Sequence, residues 1–488
     1  MVINSFNFLI FFVVIFLLYY FPLKEKTKAQ NWLLVIASYV FYGFAEWRMI
    51  PLLLASTAVF YILGMAIQRS TESKASLLTT MGVIFGVGLL LYFKYFNFFI
   101  ESFSELFNTF GLKSNWGTFN IILPLGISFY SFRLISYIIE VHRGKIDATK
   151  EFVTFATYVS FFPTIMSGPI DRPNNFIPQL EKKRTFNYDL TVDGFRQILW
   201  GLFQKSVIAD NLAGIINGVW GDIPNQYGSN LFIVAILYSI QLYTDFSGYS
   251  HMAIGVGKLL GFQITQNFSY PYFSRNVAEY WRKWHISLTS WLTDYIFMPL
   301  NIKFRNLGNL GLILAIIINM VLVGLWHGAN WTFALFGLYH GLLFIPLILS
   351  GSLSKKGKLR TNKYGLPSMI ELIKIAGTFI LVTFGLIIFR AENISQAFLY
   401  LRGIFSNTVF NVSFSSLRKM GATYEDGYII VIIIVFFIIE WFQQNKEHPL
   451  QLNSSNNRKI TNWSIYYLLI LIIIILKSGQ EAYIYVQF

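Results

Sequence analysis

The chain has 488 residues, of which 55% are apolar, 18% aromatic and only 13% charged, with no cysteine and a formal net charge of +14. Soluble chains carry about 25% charged residues, so this composition, with a mean hydropathy of +0.53, excludes a soluble enzyme and predicts an all-α, polytopic integral membrane protein. It also excludes a disulfide framework, a thiol nucleophile and a thiolate metal site, and with no soluble basic domain it speaks against a nucleic-acid partner.

Roughly 20 apolar residues cross a bilayer, and candidate spans fall at 6–21, 32–45, 50–67, 77–100, 121–139, 231–242, 310–325, 331–349, 370–389, 428–442 and 463–476. The first reads as a retained span and not a cleaved signal, because no Lys or Arg precedes it and no small-x-small site follows. Segments 152–166, 198–207 and 281–300 carry charges or the breakers Pro163, Gly168 and Pro169. They suit re-entrant or interfacial helices, which persist at membrane depth only when buried in protein or lining a cavity. No composition break or fixed repeat divides the chain, so 1–488 reads as one membrane domain of roughly 11 to 14 transmembrane or re-entrant helices.

Loop charges orient the spans. Lys24, Lys26 and Lys28 place the first loop in the cytoplasm and the N-terminus outside. Alternation then puts Arg69 and Lys74 inside, an acidic loop with Glu101 and Glu105 outside, and Arg143, Lys145 and Lys150 inside. The run Lys355, Lys356, Lys358, Arg360 and Lys363, in a linker-like loop at 351–368, should be cytoplasmic, as should 446–459. That leaves 391–427 and the C-terminal tail outside. The net positive charge fits such loops against anionic lipid.

Two histidines stand in tryptophan-flanked apolar sequence, Trp281-Arg282-Lys283-Trp284-His285 and Gly324-Leu325-Trp326-His327-Gly328. Ionisable groups at membrane depth mark functional sites by default, and histidine can act as a base near neutrality without a metal. Gly324 and Gly328 allow another backbone to approach closely, which gives His327 either a dry, aromatic-walled pocket suited to a neutral base or a purely structural carbonyl bond. At helical spacing His285 shares a face with Trp281, Arg282 and Thr289. That face suits an anionic ligand or a headgroup boundary.

The stretch Tyr243-Thr-Asp245-Phe-Ser247-Gly248-Tyr-Ser250-His251 is a polar island after an apolar run. Asp245 must be paired or face a wet cavity, and Gln241, Asp245 and Ser247 either bind a ligand or form a structural network. His340 reads as packing in the Gly337-x-x-x-Gly341 groove, and His142 and His448 as residues of basic loops. The chain lacks a GxxxxGK[ST] loop, an HExxH helix and a GxSxG elbow; histidine-based acyl transfer needs none of them.

Several separated stretches together resemble the membrane-bound O-acyltransferase family, in particular its bacterial branch that O-acetylates alginate, peptidoglycan and other envelope glycans. They are Leu123-Pro-Leu-Gly-Ile-Ser-Phe-Tyr130, Phe161-Phe-Pro-Thr-Ile-Met-Ser-Gly-Pro-Ile170, Gly201-Leu-Phe-Gln-Lys-Ser-Val-Ile-Ala-Asp210, Tyr243-Thr-Asp-Phe-Ser-Gly-Tyr-Ser250, Pro271-Tyr-Phe-Ser-Arg-Asn276, the segment 281–291, Gly324-Leu-Trp-His-Gly-Ala329, Phe389-Arg-Ala-Glu392 and the ending Tyr483-Ile-Tyr-Val-Gln-Phe488. The resemblance implies helices around a central funnel, His327 as the catalytic histidine and His285 as the second polar site residue. It also implies donor- or tunnel-side roles for Arg282, Asp245, Ser247 and Gln241, and an acyl relay on Tyr485. No bound cofactor or metal is expected; acetyl-CoA or another acyl thioester is the donor substrate, and a polysaccharide is the acceptor. The expected partner is a periplasmic or extracellular hydrolase-like transferase, and the expected location is the bacterial cytoplasmic membrane. Arg133 and His251 depart from the family pattern, which has Gln and Asp there; the first is expected to alter tunnel contacts. The rival readings are a transporter or flippase with a His/Asp proton relay, which would show inverted repeats, and a non-catalytic subunit of a polysaccharide export machine.

The topology is testable because the chain is free of cysteine. Cysteines introduced at Ser354 and Ser415 should behave oppositely toward an impermeant thiol reagent in intact cells, with only Ser415→Cys labelled. Labelling of Ser354→Cys alone would reverse the assignment.

Overall fold

Apolar runs without breakers satisfy their backbone groups at membrane depth only by closing them internally. In the computed structural model, which describes residues 1–112, 117–353, 361–410, 427–452, 459–479 and 481–484, the outcome is all-helical. No strand forms among the described residues, and one isolated bridge pairs Thr361 with Pro367. Among the described residues six segments are long and apolar enough to cross a membrane: Thr27–Gln68, Glu72–Thr109, Gly228–Leu259, Arg305–His327, Trp331–Leu349 and Met369–Arg390. Phe6–Tyr20, Gly427–Phe442 and Ile460–Leu476 are shorter apolar helices.

In chain order the helices are α1 (Phe6–Tyr20), α2 (Thr27–Glu46), α3 (Ile50–Gln68), α4 (Glu72–Leu90), α5 (Phe96–Thr109), α6 (Ile127–His142), α7 (Phe152–Ser160), α8 (Pro173–Glu181), α9 (Tyr188–Phe203), α10 (Asp210–Trp220) and α11 (Gly228–Leu259). There follow α12 (Val277–Lys283), α13 (Ile286–Leu292), α14 (Met298–Lys303), α15 (Gly308–His327), α16 (Trp331–Leu343), α17 (Ile345–Leu349), α18 (Met369–Arg390), α19 (Ile394–Ile404), α20 (Gly427–Phe442) and α21 (Lys459–Leu476). Polar side chains start several of them as N-caps. Ser5 accepts from the Phe8 N–H, Asn276 from Glu279, Asn330 from Thr332 and Asn393 from Gln396.

By backbone proximity the chain forms two compact units, Met1–Phe195 with Ala253–Thr265, and Arg196–Met252 with Gln266–Phe488. In the first, α6 is buried along nearly its whole length. It lies against small-residue faces of α3 and α4: a Cβ on Gly86 would come 2.7 Å from Ile135, and Gly64 and Gly82 meet Tyr137 and Ile138 in the same way. The absence of a side chain is what lets these helices approach. In the second unit α15 and α16 form a tight hairpin, where a Cβ on Gly324 or Gly337 would strike the backbone carbonyl of Phe333 or Met320.

Several sequence expectations change for identifiable reasons. No Gly or Pro lies between Leu91 and Thr109, so the expected acidic loop is helix: a π turn at Leu91–Tyr95 leads into α5, which carries Glu101 and Glu105. The span expected at 121–139 starts only at Ile127, because Pro124 and the left-handed Gly126 (φ 68°) break what precedes it. The short span 231–242 runs on to Leu259, with the polar island inside the helix and buried. Segment 391–427 contains helix α19. The basic run 355–360, Ser354, Ser415 and Tyr485 lie outside the described residues.

Arg133 also has a different role from the one expected. Its guanidinium is buried and donates to the carbonyls of Tyr158 and Val159 (3.1 Å each), to Thr164 and to Pro169 (3.4 Å). It thus satisfies the last carbonyls of α7, which an ending helix leaves without helical partners, and fixes the turn around Pro163 and Gly168.

Candidate functional site

The site is built around the break at His285. Sequence spacing predicts one amphipathic helix carrying Arg282 and His285 on a common face, and the structure corrects this. α12 ends at Lys283, and His285 takes a left-handed backbone (φ 45°, ψ 53°) before α13 begins. Asn267 supplies the competing bonds. Its carbonyl accepts from the Ile286 N–H (2.9 Å), its Oδ1 accepts from the Ser287 hydroxyl (2.9 Å), and its Nδ2 donates to Ser250 of α11 (3.2 Å). A non-glycine residue at positive φ is strained and persists only when its surroundings over-determine it.

The break turns the two residues to different surroundings. His285 is completely buried, whereas Arg282 is exposed. Arg282 lines a cavity of about 420 Å³ with Trp281, Thr289, Ser290, Asp294 and Asn319. On the same helix as Arg282, burial works against the charge on Glu279, but Lys283 (3.0 Å) and Arg275 (3.0 Å) outweigh burial and hold the carboxyl below its usual range.

His327 is the last residue of α15, and the Gly328–Asn330 turn follows it immediately. Its ring lies 6.3 Å from that of His285, centroid to centroid. Trp326 stands 5.3 Å from His285, Phe246 of α11 meets the same ring edge-on at 4.7 Å, and Phe389 of α18 closes on His327 at 5.1 Å. Phe333 and Phe336 complete the wall. Two histidines 42 positions apart are thereby held in one aromatic box, both essentially inaccessible to solvent (0% and 2% exposed).

His340 sits on α16, a different helix from His327. It accepts from the Trp281 indole N–H at 3.3 Å and packs beside Gly385, where a Cβ would come 2.6 Å from its Nε2. It packs, as expected, but not in the groove expected: Gly337 and Gly341 face Met320 and Ile317 of α15 instead. His251 lies 3.1 Å from the Gln197 amide. His448 is fully buried, although it stands in basic sequence.

The polar island is a network. Asp245 is 2.7 Å from Lys205, which also pairs with Asp210 at 2.8 Å. Lys205 comes from a π turn (Gln204–Ala209) after α9, a helix defect frequent at functional sites. Gly248 admits that turn: a Cβ there would come 2.8 Å from the Gly201 carbonyl. Tyr243 donates to Glu440 of α20 at 2.9 Å. Gln241 and Ser247 are buried on α11. Sequence reasoning passed over Lys205, Asp210 and Glu440, although a charge inside an apolar run was the available signal. Tyr485 is outside the described residues, but the segment before it is placed: Tyr483 is buried, and the Ile484 N–H donates to Asp245 at 2.8 Å.

Residues 146–369 match MBOAT, the membrane-bound O-acyltransferase family. A protein of Azotobacter vinelandii named "Probable alginate O-acetylase AlgI" is 38% identical over 414 residues, covering 83% of this chain and 78% of that one. A Helicobacter pylori peptidoglycan O-acetyltransferase is 31% identical over 436 residues, covering 82% and 79%. A teichoic acid D-alanyltransferase of Bacillus subtilis is 32% identical over 294 residues, covering 56% and 70%.

Proposed function

We propose a reaction for this chain from one premise: it belongs to the membrane-bound O-acyltransferase family and is an O-acyltransferase. It transfers an acetyl group from a cytoplasmic thioester, acetyl-CoA, across the bacterial cytoplasmic membrane for O-acetylation of an envelope or exported polysaccharide. Both chain termini lie on the outer side, and a hydrolase-like transferase outside the membrane completes delivery to the glycan. The observation that carries this reading is the shared aromatic box of His285 and His327, with ring centroids 6.3 Å apart.

In the transfer, a hydroxyl oxygen attacks the thioester carbonyl carbon while His327 accepts the hydroxyl proton. The C–S bond then breaks, and the proton passes to the departing thiolate. General-base assistance of this kind contributes roughly 10²–10⁴-fold, and holding both reactants in a dry site supplies positioning besides. His285, locked by its left-handed backbone, orients the acyl carbonyl from the other side of the box. Arg282, at the mouth of its cavity, suits the anionic phosphates of a nucleotide thioester. Preference for acetyl over D-alanyl rests on the alginate- and peptidoglycan-modifying relatives, which align over more of the chain than the teichoic acid enzyme.

His327→Ala should abolish glycan O-acylation in cells while the protein remains inserted and at normal abundance. His285→Ala should leave a small residual rate, since orientation contributes less than proton transfer. Wild-type acylation in His327→Ala would remove it from the mechanism, and full activity in His285→Ala would reduce it to packing.

The immediate acceptor in this reading is the Tyr485 hydroxyl, which passes the acyl group on to the partner. A phenol has a pKa near 10, so an adjacent base makes it a usable nucleophile. Tyr485→Phe removes only that hydroxyl, and almost all glycan acylation should be lost at normal protein levels. Wild-type protein incubated with donor and without partner should carry an acyl adduct on its C-terminal peptide by mass spectrometry. Full activity in Tyr485→Phe would mean that the final acceptor reaches His327 directly.

A further inference from the structure

The buried charge cluster on α11 has a feature that the acyl-transfer reading leaves unused. Lys205, Asp210 and Asp245 are each at least 95% buried, and two carboxylates share one ammonium. The cluster therefore carries a formal excess of one negative charge in a place where water cannot solvate it. Asp245 Oδ1 faces Lys205, and its second oxygen, Oδ2, is met by the backbone N–H of Ile484 at 2.8 Å. The Lys205 Nζ, with two of its three protons directed at carboxylates, lies 4.3 Å from the centre of the Tyr483 ring. Tyr249 then closes on that ring edge-on at 5.1 Å. Upstream, Asn211 donates to the Leu476 carbonyl at the end of α21 (2.9 Å).

We propose that Lys205 and Asp245, with Asp210, form a seat for the C-terminal segment, and that they act as positioning residues for whatever follows Ile484. The chemistry of the contact is selective. Glu481 stands within Coulombic reach of Asp210 and repels it, so charge on the tail does not draw it in. Asp210 Oδ2 finds no hydrogen-bond partner among the described residues, and two further needs remain, a donor for the second oxygen of Asp245 and a polarisable face for the third N–H of Lys205. A backbone amide and an aromatic ring supply these two things, and Ile484 and Tyr483 present them from adjacent positions. Buried polar groups need such partners, and a desolvated cation gains most from a ring face. A tail bound in this way is held at one fixed residue, so the next residue, Tyr485, starts from a fixed origin. That consequence for activity rests on the relay proposed above, whereas the seat itself does not.

The absence of native cysteine allows the seat to be measured apart from activity. Ile484→Cys keeps the backbone donor and places a thiol at the half-buried position, and Ala482→Cys, at an exposed position, serves as the control. The maleimide labelling rate of purified full-length Ile484→Cys protein is compared alone, with Tyr483→Leu, and with Lys205→Met plus Asp245→Leu. The double substitution removes one charge of each sign but leaves the Asp210 carboxylate without its Lys205 partner, so this variant carries a cost in stability. Tyr483→Leu lies in the tail and leaves the cluster intact, so it reports even if the double variant does not fold. Losing a charge-assisted contact shifts an equilibrium by roughly tenfold or more, so labelling at Ile484→Cys should rise at least that much in both backgrounds, with Ala482→Cys unchanged. An unchanged rate at Ile484→Cys in folded Tyr483→Leu protein overturns the seat. If labelling rises and glycan acylation stays at the wild-type level, the seat stands and the Tyr485 relay fails.

Discussion

The structure depends on one constraint: a polar group away from water must find its partner inside the protein. Helix α11 concentrates that demand. It carries Tyr243, Asp245, Ser250 and His251 through its buried middle, and its neighbours are arranged to answer these four. Glu440 meets Tyr243, Lys205 meets Asp245, Asn267 meets Ser250 and Gln197 meets His251. The π turn that brings Lys205 in and the glycine contact that admits it follow from the same demand.

The same network places the histidines. Asn267 joins Ser250 to the start of α13, and in doing so it ends one helix and starts another with His285 between them. Phe246, on α11 beside Asp245, forms one wall of the box. His327 reaches that box because the α15–α16 hairpin is closed by glycines, which lets the helix stop at the histidine and turn back at once. The geometry of the histidine pair is a consequence of backbone breaks held by internal hydrogen bonds, and aromatic rings surround it.

Class and most helices were legible in the sequence, because apolar length is a local property; where a helix starts was less so, as at Pro124 and Gly126, which delay the start of an expected span to Ile127 although Pro178 and several glycines lie inside helices. The burial of His285 and His327 was also legible, from the apolar, tryptophan-flanked sequence around them. What sequence could not supply was pairing. Helical spacing put Arg282 and His285 on one face, and the intervening break follows from Asn267, a residue 18 positions before His285 that no periodicity connects to it. Arg133 looked like a tunnel contact and instead holds the end of α7. Lys205 and Asp210 were visible as charges in an apolar run, but Asp245, which shares the Lys205 ammonium with Asp210, lies on another helix.

The central claim is that His327 is the base of a thioester-dependent transfer carried out within this chain. Purified full-length protein, given acetyl-CoA without any partner, should release free CoA thiol. A His327→Gln variant of matching thermal stability should release essentially none. Thiol release by His327→Gln at the wild-type rate would contradict the account and place the chemistry elsewhere in the protein.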